Sequence, residues 1–84
     1  MPERFVKAIF LESEEDIKRV EEELSAGNIV IVNVSPLLEA GEVDRLRSVI
    51  NELKEFVERI GGDIARLGDR RIVLTPPDIK VWKP

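Results

Sequence analysis

The run Asn28-Ile29-Val30-Ile31-Val32-Asn33-Val34 constrains this chain more than any other stretch. Successive side chains of a strand point to opposite faces, so Ile29 and Ile31 serve one face and Val30, Val32 and Val34 the other. A strand apolar in both parities needs cover on both sides, the pattern of an interior parallel strand. Two segments can supply helical cover. Ser13 precedes Glu14, Glu15 and Asp16, an N-cap followed by acids that suit the helix dipole, and Ile17, Val20 and Leu24 then form one apolar stripe that Gly27 ends. The second helix runs from about Glu42 to Ile60, with Val43, Leu46, Ile50, Leu53, Val57 and Ile60 on a continuous face widened by Val49 and Phe56. Two helices cover one face of a sheet. The other face is left for a partner chain, and a homodimer or larger assembly is the expectation.

The remaining elements fall around that strand. Phe5 to Phe10 reads as the first strand, and a strand-helix-strand connection makes it parallel to the central one. Ser35 to Gly41 is a loop with room for one helical turn, and Asn33 is expected to bond local backbone. Gly61-Gly62 closes the second helix. Ile64–Leu67 and Arg71–Thr75 pair as a hairpin through Gly68-Asp69, Pro76-Pro77 stops the ladder, and Asp78–Trp82 is expected as a last edge strand. The fold class is therefore α/β: a small two-layer sandwich of order β-α-β-α-β-β-(β), with two helices on one face of a mixed, dimerising sheet.

Length and composition narrow the function. At 84 residues the chain is one domain, spanning 1–84, that buries only roughly 60% of its unfolded surface as a monomer, which again favours self-association. It has no Cys, His or Tyr. The usual thiolate and imidazole metal ligands, and every Cys–His or Ser–His pair, are thereby removed, so neither metal nor cofactor is expected. Thirteen Lys and Arg against 17 Asp and Glu give a net charge of −4, which argues against non-specific nucleic-acid binding. The acids from Glu12 to Glu23 read as a solvated helix face, with Glu14–Lys18 and Glu15–Arg19 as i,i+4 pairs. Carboxylate pairs such as Asp63 with Asp69, or Asp78 beside Thr75, are the only candidates for catalysis. They lack a nucleophile–base partner, a phosphate loop or metal spacing, so no enzyme is expected. The longest apolar run, Ile29 to Val32, is too short to cross a bilayer, and no signal peptide is expected before the domain.

Five segments together resemble the SepF cell-division family, in its archaeal branch, over nearly the whole chain. They are Glu-Glu-Leu-Ser-Ala-Gly-Asn at 22–28, Ile-Val-Ile-Val-Asn-Val at 29–34, Gly-Gly-Asp-Ile-Ala-Arg-Leu-Gly at 61–68, Ile-Val-Leu-Thr-Pro at 72–76 and the Pro-Asp-Ile-Lys-Val ending. The resemblance implies a non-enzymatic adaptor that self-associates and binds the C-terminal tail of the tubulin-like division protein FtsZ. Such an adaptor tethers FtsZ to the inner membrane face of the division site through an N-terminal amphipathic helix. Here Met1-Pro2-Glu3-Arg4 leads straight into the first strand, so that helix and its linker are expected to be absent, by trimming or in a paralogue without its own anchor.

By position, the resemblance places the tail-binding groove at the hairpin, with Arg66 as its basic residue and Ile72 as its apolar shelf. Arg70 and Arg71 assist or merely keep the turn soluble. A cation beside an apolar shelf suits a peptide that mixes carboxylates with apolar anchors; the plain alternative is a core isoleucine and a surface arginine. Gly61, Gly62, Val49 and Phe56 are the candidate subunit contacts. Gly61 alone can serve as the helix cap, so Gly62 is expected to permit close subunit approach and to tolerate replacement without loss of the fold. The element order also resembles Alba-type chromatin proteins, which are nucleic-acid-binding dimers. Those need a basic surface and a long basic arm, and this chain is acidic with a short hairpin.

Overall fold

The computed structural model describes residues 3–83. Its order is β1 (Val6–Phe10), α1 (Glu14–Ser25), β2 (Ile29–Asn33), α2 (Ser35–Glu39), α3 (Val43–Ile60), β3 (Asp63–Leu67) and β4 (Arg71–Thr75). The strands form one mixed sheet in the order β1-β2-β4-β3. β1 and β2 are parallel, as the crossover predicts, while β2–β4 and β4–β3 are antiparallel. The centre goes to β2 (IVIVN) and β4 (RIVLT), whose apolar residues occupy both parities. The edges go to β1 (VKAIF) and β3 (DIARL), each of which carries a charged residue inside the strand.

All the helices contribute to one apolar cluster on a single face of the sheet. Ile9, Val30, Val32, Ile72 and Leu74 meet Ile17, Val20 and Leu24 of α1, Leu37 of α2, and Val49, Leu53 and Val57 of α3. Three helices, rather than two, form this layer. The added one is α2, where Pro36 in the first turn supplies a preset φ and Leu37 is buried. The line of α3 that points into the core is Val49, Leu53 and Val57, spaced i, i+4, i+8, with Leu46, Ile50, Phe56 and Ile60 flanking it. Val43, expected on the buried face, is 52% exposed at the first position of the helix. Val49 is 5% exposed, so it is occupied by the chain's own core and has almost no surface to offer a second copy. Phe56 stays half-buried, with the Arg59 guanidinium 5.5 Å from its ring.

Polar contacts fix the corners. The Asp16 carboxylate accepts from the backbone N–H of Glu12 (2.9 Å) and Ser13 (3.0 Å), closing the start of α1, and those bonds hold it below the ordinary carboxylate range. Asp16 also pairs with Arg19 at 3.4 Å, in place of the expected Glu15–Arg19 pair; Glu14–Lys18 does not form either. The buried Asn28 amide accepts from Phe5 N–H and donates to Glu23, which also takes the Lys7 ammonium at 2.7 Å. The start of both parallel strands is thereby tied to the end of α1. Asn33 Oδ1 accepts from Ser35 N–H at 2.8 Å, the local backbone bond expected of it.

The segment after β4 departs from expectation. Asp78–Trp82 forms no strand. Pro76 and Pro77 have no N–H to donate, Asp78 turns the chain at φ 75, and side chains then replace the ladder. Thr75 Oγ1 donates to Ile79 carbonyl at 2.6 Å. Val81 N–H and Lys83 Nζ both donate to the Asp63 carboxylate, at 2.9 and 3.0 Å. With Ile64 N–H as a further donor, Asp63 is held down at about 2, the Val81 bond being the largest cause. Lys80 reaches the carbonyls of Gly61 and Gly62. The result is a C-terminal strap latched to the beginning of β3.

The two glycines at the end of α3 have different roles. Gly61 is the left-handed cap of α3, at φ 80. Gly62 has its own local reason: a Cβ there would lie 2.1 Å from the Thr75 carbonyl oxygen. Its missing side chain lets the start of β3 close on the end of β4, so replacement disturbs the fold itself.

Candidate functional site

Register sorts the hairpin residues between the two faces. Arg66 lies opposite Ile72, and Ile64 opposite Leu74, on the face that carries the helices. Ala65 pairs with Val73 and Leu67 with Arg71 on the other face. α3 leaves a gap beside the first set. Its core line ends the close packing at Val49 and Leu53, and the neighbouring Leu46 and Ile50 turn toward the hairpin without filling the space. The gap is a groove of about 420 Å³, walled by Leu46, Ile50 and Lys54 of α3 on one side and by Ile64, Arg66 and Ile72 on the other. Val34 and Leu38, and Gly68 and Asp69 of the hairpin turn, complete the lining.

The four hairpin residues expected at a binding site divide here. Ile72 is 8% exposed and belongs both to the core cluster and to the groove wall. Arg66 lines the groove with a mostly exposed side chain. Its Nε donates to the Gly68 carbonyl at 3.0 Å, and its guanidinium sits 3.6 Å from the Asp69 carboxylate. Arg71 borders the groove, although its strand position belongs to the open face. Arg70 lies outside the lining: it donates to Ser35 Oγ at 3.1 Å and pairs with Glu39 at 3.7 Å, bracing the hairpin turn against α2. Its carbonyl also accepts from Val34 N–H at 2.8 Å.

Sequence reasoning missed the α3 wall, Leu46, Ile50 and Lys54. The signal was present in their spacing, since Leu46, Ile50 and Lys54 follow at i, i+4, i+8 along one side of the helix. By periodicity Leu46 and Ile50 belong to the sheet-facing stripe, and spacing alone does not tell a residue packed in the core from one that borders a groove.

The other face of the sheet forms a second feature. Val6, Ala8 and Phe10 align with Ile29, Ile31 and Asn33, and β4 adds Val73 across from Ile31. Val6 and Phe10 are each 63% exposed and Leu67 50%. Among the described residues no helix covers this face.

Comparison with known proteins gives the architecture a family. The profile described as "Cell division protein SepF" matches residues 6–81. The chain belongs to the SepF family. A solved SepF-like protein from Pyrococcus furiosus superposes with a TM-score of 0.87 at 36% identity, over 98% of this chain and 98% of that one. A SepF-like protein from Archaeoglobus fulgidus superposes at 0.84 with 24% identity, over 94% and 93% of the two chains, and shows the same fold. No curated protein matches the chain. Membership gives the SepF domain described here a role in cell division, and the resemblance read from the segments at 22–34 and 61–76 holds. Among the described residues no helix is long and apolar enough to cross a membrane.

Proposed function

We propose that this SepF domain is a non-enzymatic adaptor whose groove between α3 and the β3–β4 hairpin seats the C-terminal tail of FtsZ. The observation that carries the reading is the groove's composition. Leu46, Ile50, Ile64 and Ile72 supply an apolar floor, and Arg66 and Lys54 place cations on opposite walls. An apolar trough between a helix and a strand, edged by positive charge, suits a short peptide that buries hydrophobic anchors and pairs its carboxylates. The open sheet face supports self-association: Val6, Phe10 and Leu67 expose large apolar side chains that a second copy would cover. Two grooves on one dimer, one on each outer helix face, would then raise the effective affinity for a filament that presents many tails. An amphipathic segment outside this domain completes the tether to the inner membrane face at the division site.

The test is a calorimetric titration of the folded domain with the FtsZ tail peptide. Saturation near one peptide per subunit is expected. Arg66→Glu should weaken binding by roughly 1–2 kcal/mol, because reversal sets a second anion beside Asp69 at the rim. Absence of heat from a domain shown to be folded would remove FtsZ as the partner.

A further inference from the structure

Three cations line the groove, Lys54, Arg66 and Arg71; Arg71 sits at a strand position that belongs to the open face, and the two that belong to the helix side are not equivalent. Arg66 is already engaged: Gly68 carbonyl takes its Nε at 3.0 Å and Asp69 faces its guanidinium at 3.6 Å. Asp69 is the one acidic residue in the groove lining. A ligand carboxylate arriving at Arg66 must displace Asp69 and exchange one exposed ion pair for another, a trade with almost no net gain. Lys54, on the α3 wall, forms no ion pair among the described residues. A carboxylate reaching Lys54 gives up only water, and it does so beside the apolar side chain of Ile50, where screening is weaker than in open solvent.

We propose that Lys54 is the residue that reads the carboxylate of an acidic, apolar peptide lying in the groove, and that Asp69 withholds Arg66 as an internal competitor. The inference rests on the groove being a peptide site and names which end of it recognises charge. The occupant follows from complementarity: apolar side chains on the floor of Leu46, Ile50 and Ile72, and an acid directed at the α3 wall rather than at the hairpin.

Three peptides test it by calorimetry: the FtsZ tail, the same tail with each Asp and Glu replaced by its amide, and an unrelated acidic, apolar peptide of equal length. Lys54→Ala should weaken the carboxylate peptides about tenfold while leaving the amide version unchanged, and Lys54→Arg should restore most of the loss. Arg66→Ala should cost less than about threefold, and Asp69→Asn should tighten binding about two- to threefold by releasing Arg66. Lys54 is exposed on a helix, so circular dichroism should show each of its variants folded. Equal binding by Lys54→Ala and the wild type overturns the proposal. So does a loss that is the same for carboxylate and amide peptides, which would mark Lys54 as a packing residue. If the unrelated peptide binds with this Lys54 dependence and the FtsZ tail does not, the charge-reading role stands and the FtsZ reading falls. If neither acidic peptide binds, both fall.

Discussion

Val30, Val32 and Leu74 are closed to water on the helix face of the sheet, while Ile29, Ile31 and Val73, their immediate neighbours along the same strands, are only half-buried. At the margins of that second face Val6 and Phe10 are 63% exposed. The composition of the two faces is nearly the same, and what differs is the cover each receives. A strand's alternation records how many of its faces are built to leave water, whereas cover depends on how many helices the chain can bring to the sheet. Here α1, α2 and α3 all lie on one side, so equally apolar residues are buried in the chain's own core on one face and left partly open to water on the other.

The comparison breaks most readily by truncating each face in turn. Leu74→Ala should destabilise the domain by about 2–5 kcal/mol in a denaturant melt, through lost burial and the cavity left behind. Phe10→Ala on the open face should change the monomer by no more than about 0.5 kcal/mol. Phe10→Glu should lower the sedimenting mass at high protein concentration, as expected if a second copy covers that face. A mass that is already monomeric in the wild type, and unchanged in the variant, would separate the open face from self-association.

A second contrast lies within the glycine pair. Gly62→Ala should cost about 1–3 kcal/mol, because its Cβ has no room against the Thr75 carbonyl and the β3–β4 junction must shift. Gly61→Ala meets open space and should cost about 1 kcal/mol, from the left-handed backbone alone. Equal thermal midpoints for the two variants would show that the junction is more pliable than its geometry indicates.

The smallest effect concerns the strap. The fold lowers Asp63 from its ordinary 3.8 to about 2, so its ionised form is the one the fold favours. Its contribution is complete above 3.8 and disappears as pH falls toward about 2. Trp82, the single tryptophan, lies between Val81 and Lys83, the residues that grip Asp63. Its fluorescence anisotropy should fall over that acid range while the helix signal persists, and Asp63→Asn should show the freed value at neutral pH. Anisotropy that tracks global unfolding instead would mean the strap is held by more than Asp63.

Much of the fold was legible in the residues because it depends on short-range chemistry. Ser13 before three acids located a helix start, the Ile17–Val20–Leu24 spacing named its buried stripe, and the double-sided strand at 29–34 predicted a partly uncovered sheet. Family segments pointed to Arg66 and Ile72 as site residues; register sets the two opposite each other on the helix face, which their spacing in the sequence did not show. The expected strand at 78–82 does not form although its β-type composition is real, because the groups that replace the ladder come from Thr75 and from Asp63, the latter distant in sequence.

By itself, then, the sequence determined the order of the four sheet strands and the two long helices, the parallel β1–β2 pair, the hairpin, the family, and an apolar sheet face that no helix among the described residues covers. Only the tertiary structure decided that α3 turns Val49 inward and leaves Leu46, Ile50 and Lys54 along a groove, that Gly62 answers to Thr75, and that Arg66 is met by Asp69 while Lys54 has no ion pair among the described residues. Each of those depends on where a helix comes to rest against a sheet to within an ångström or two. Periodicity carries the direction in which a side chain points, but not the distance to what it meets.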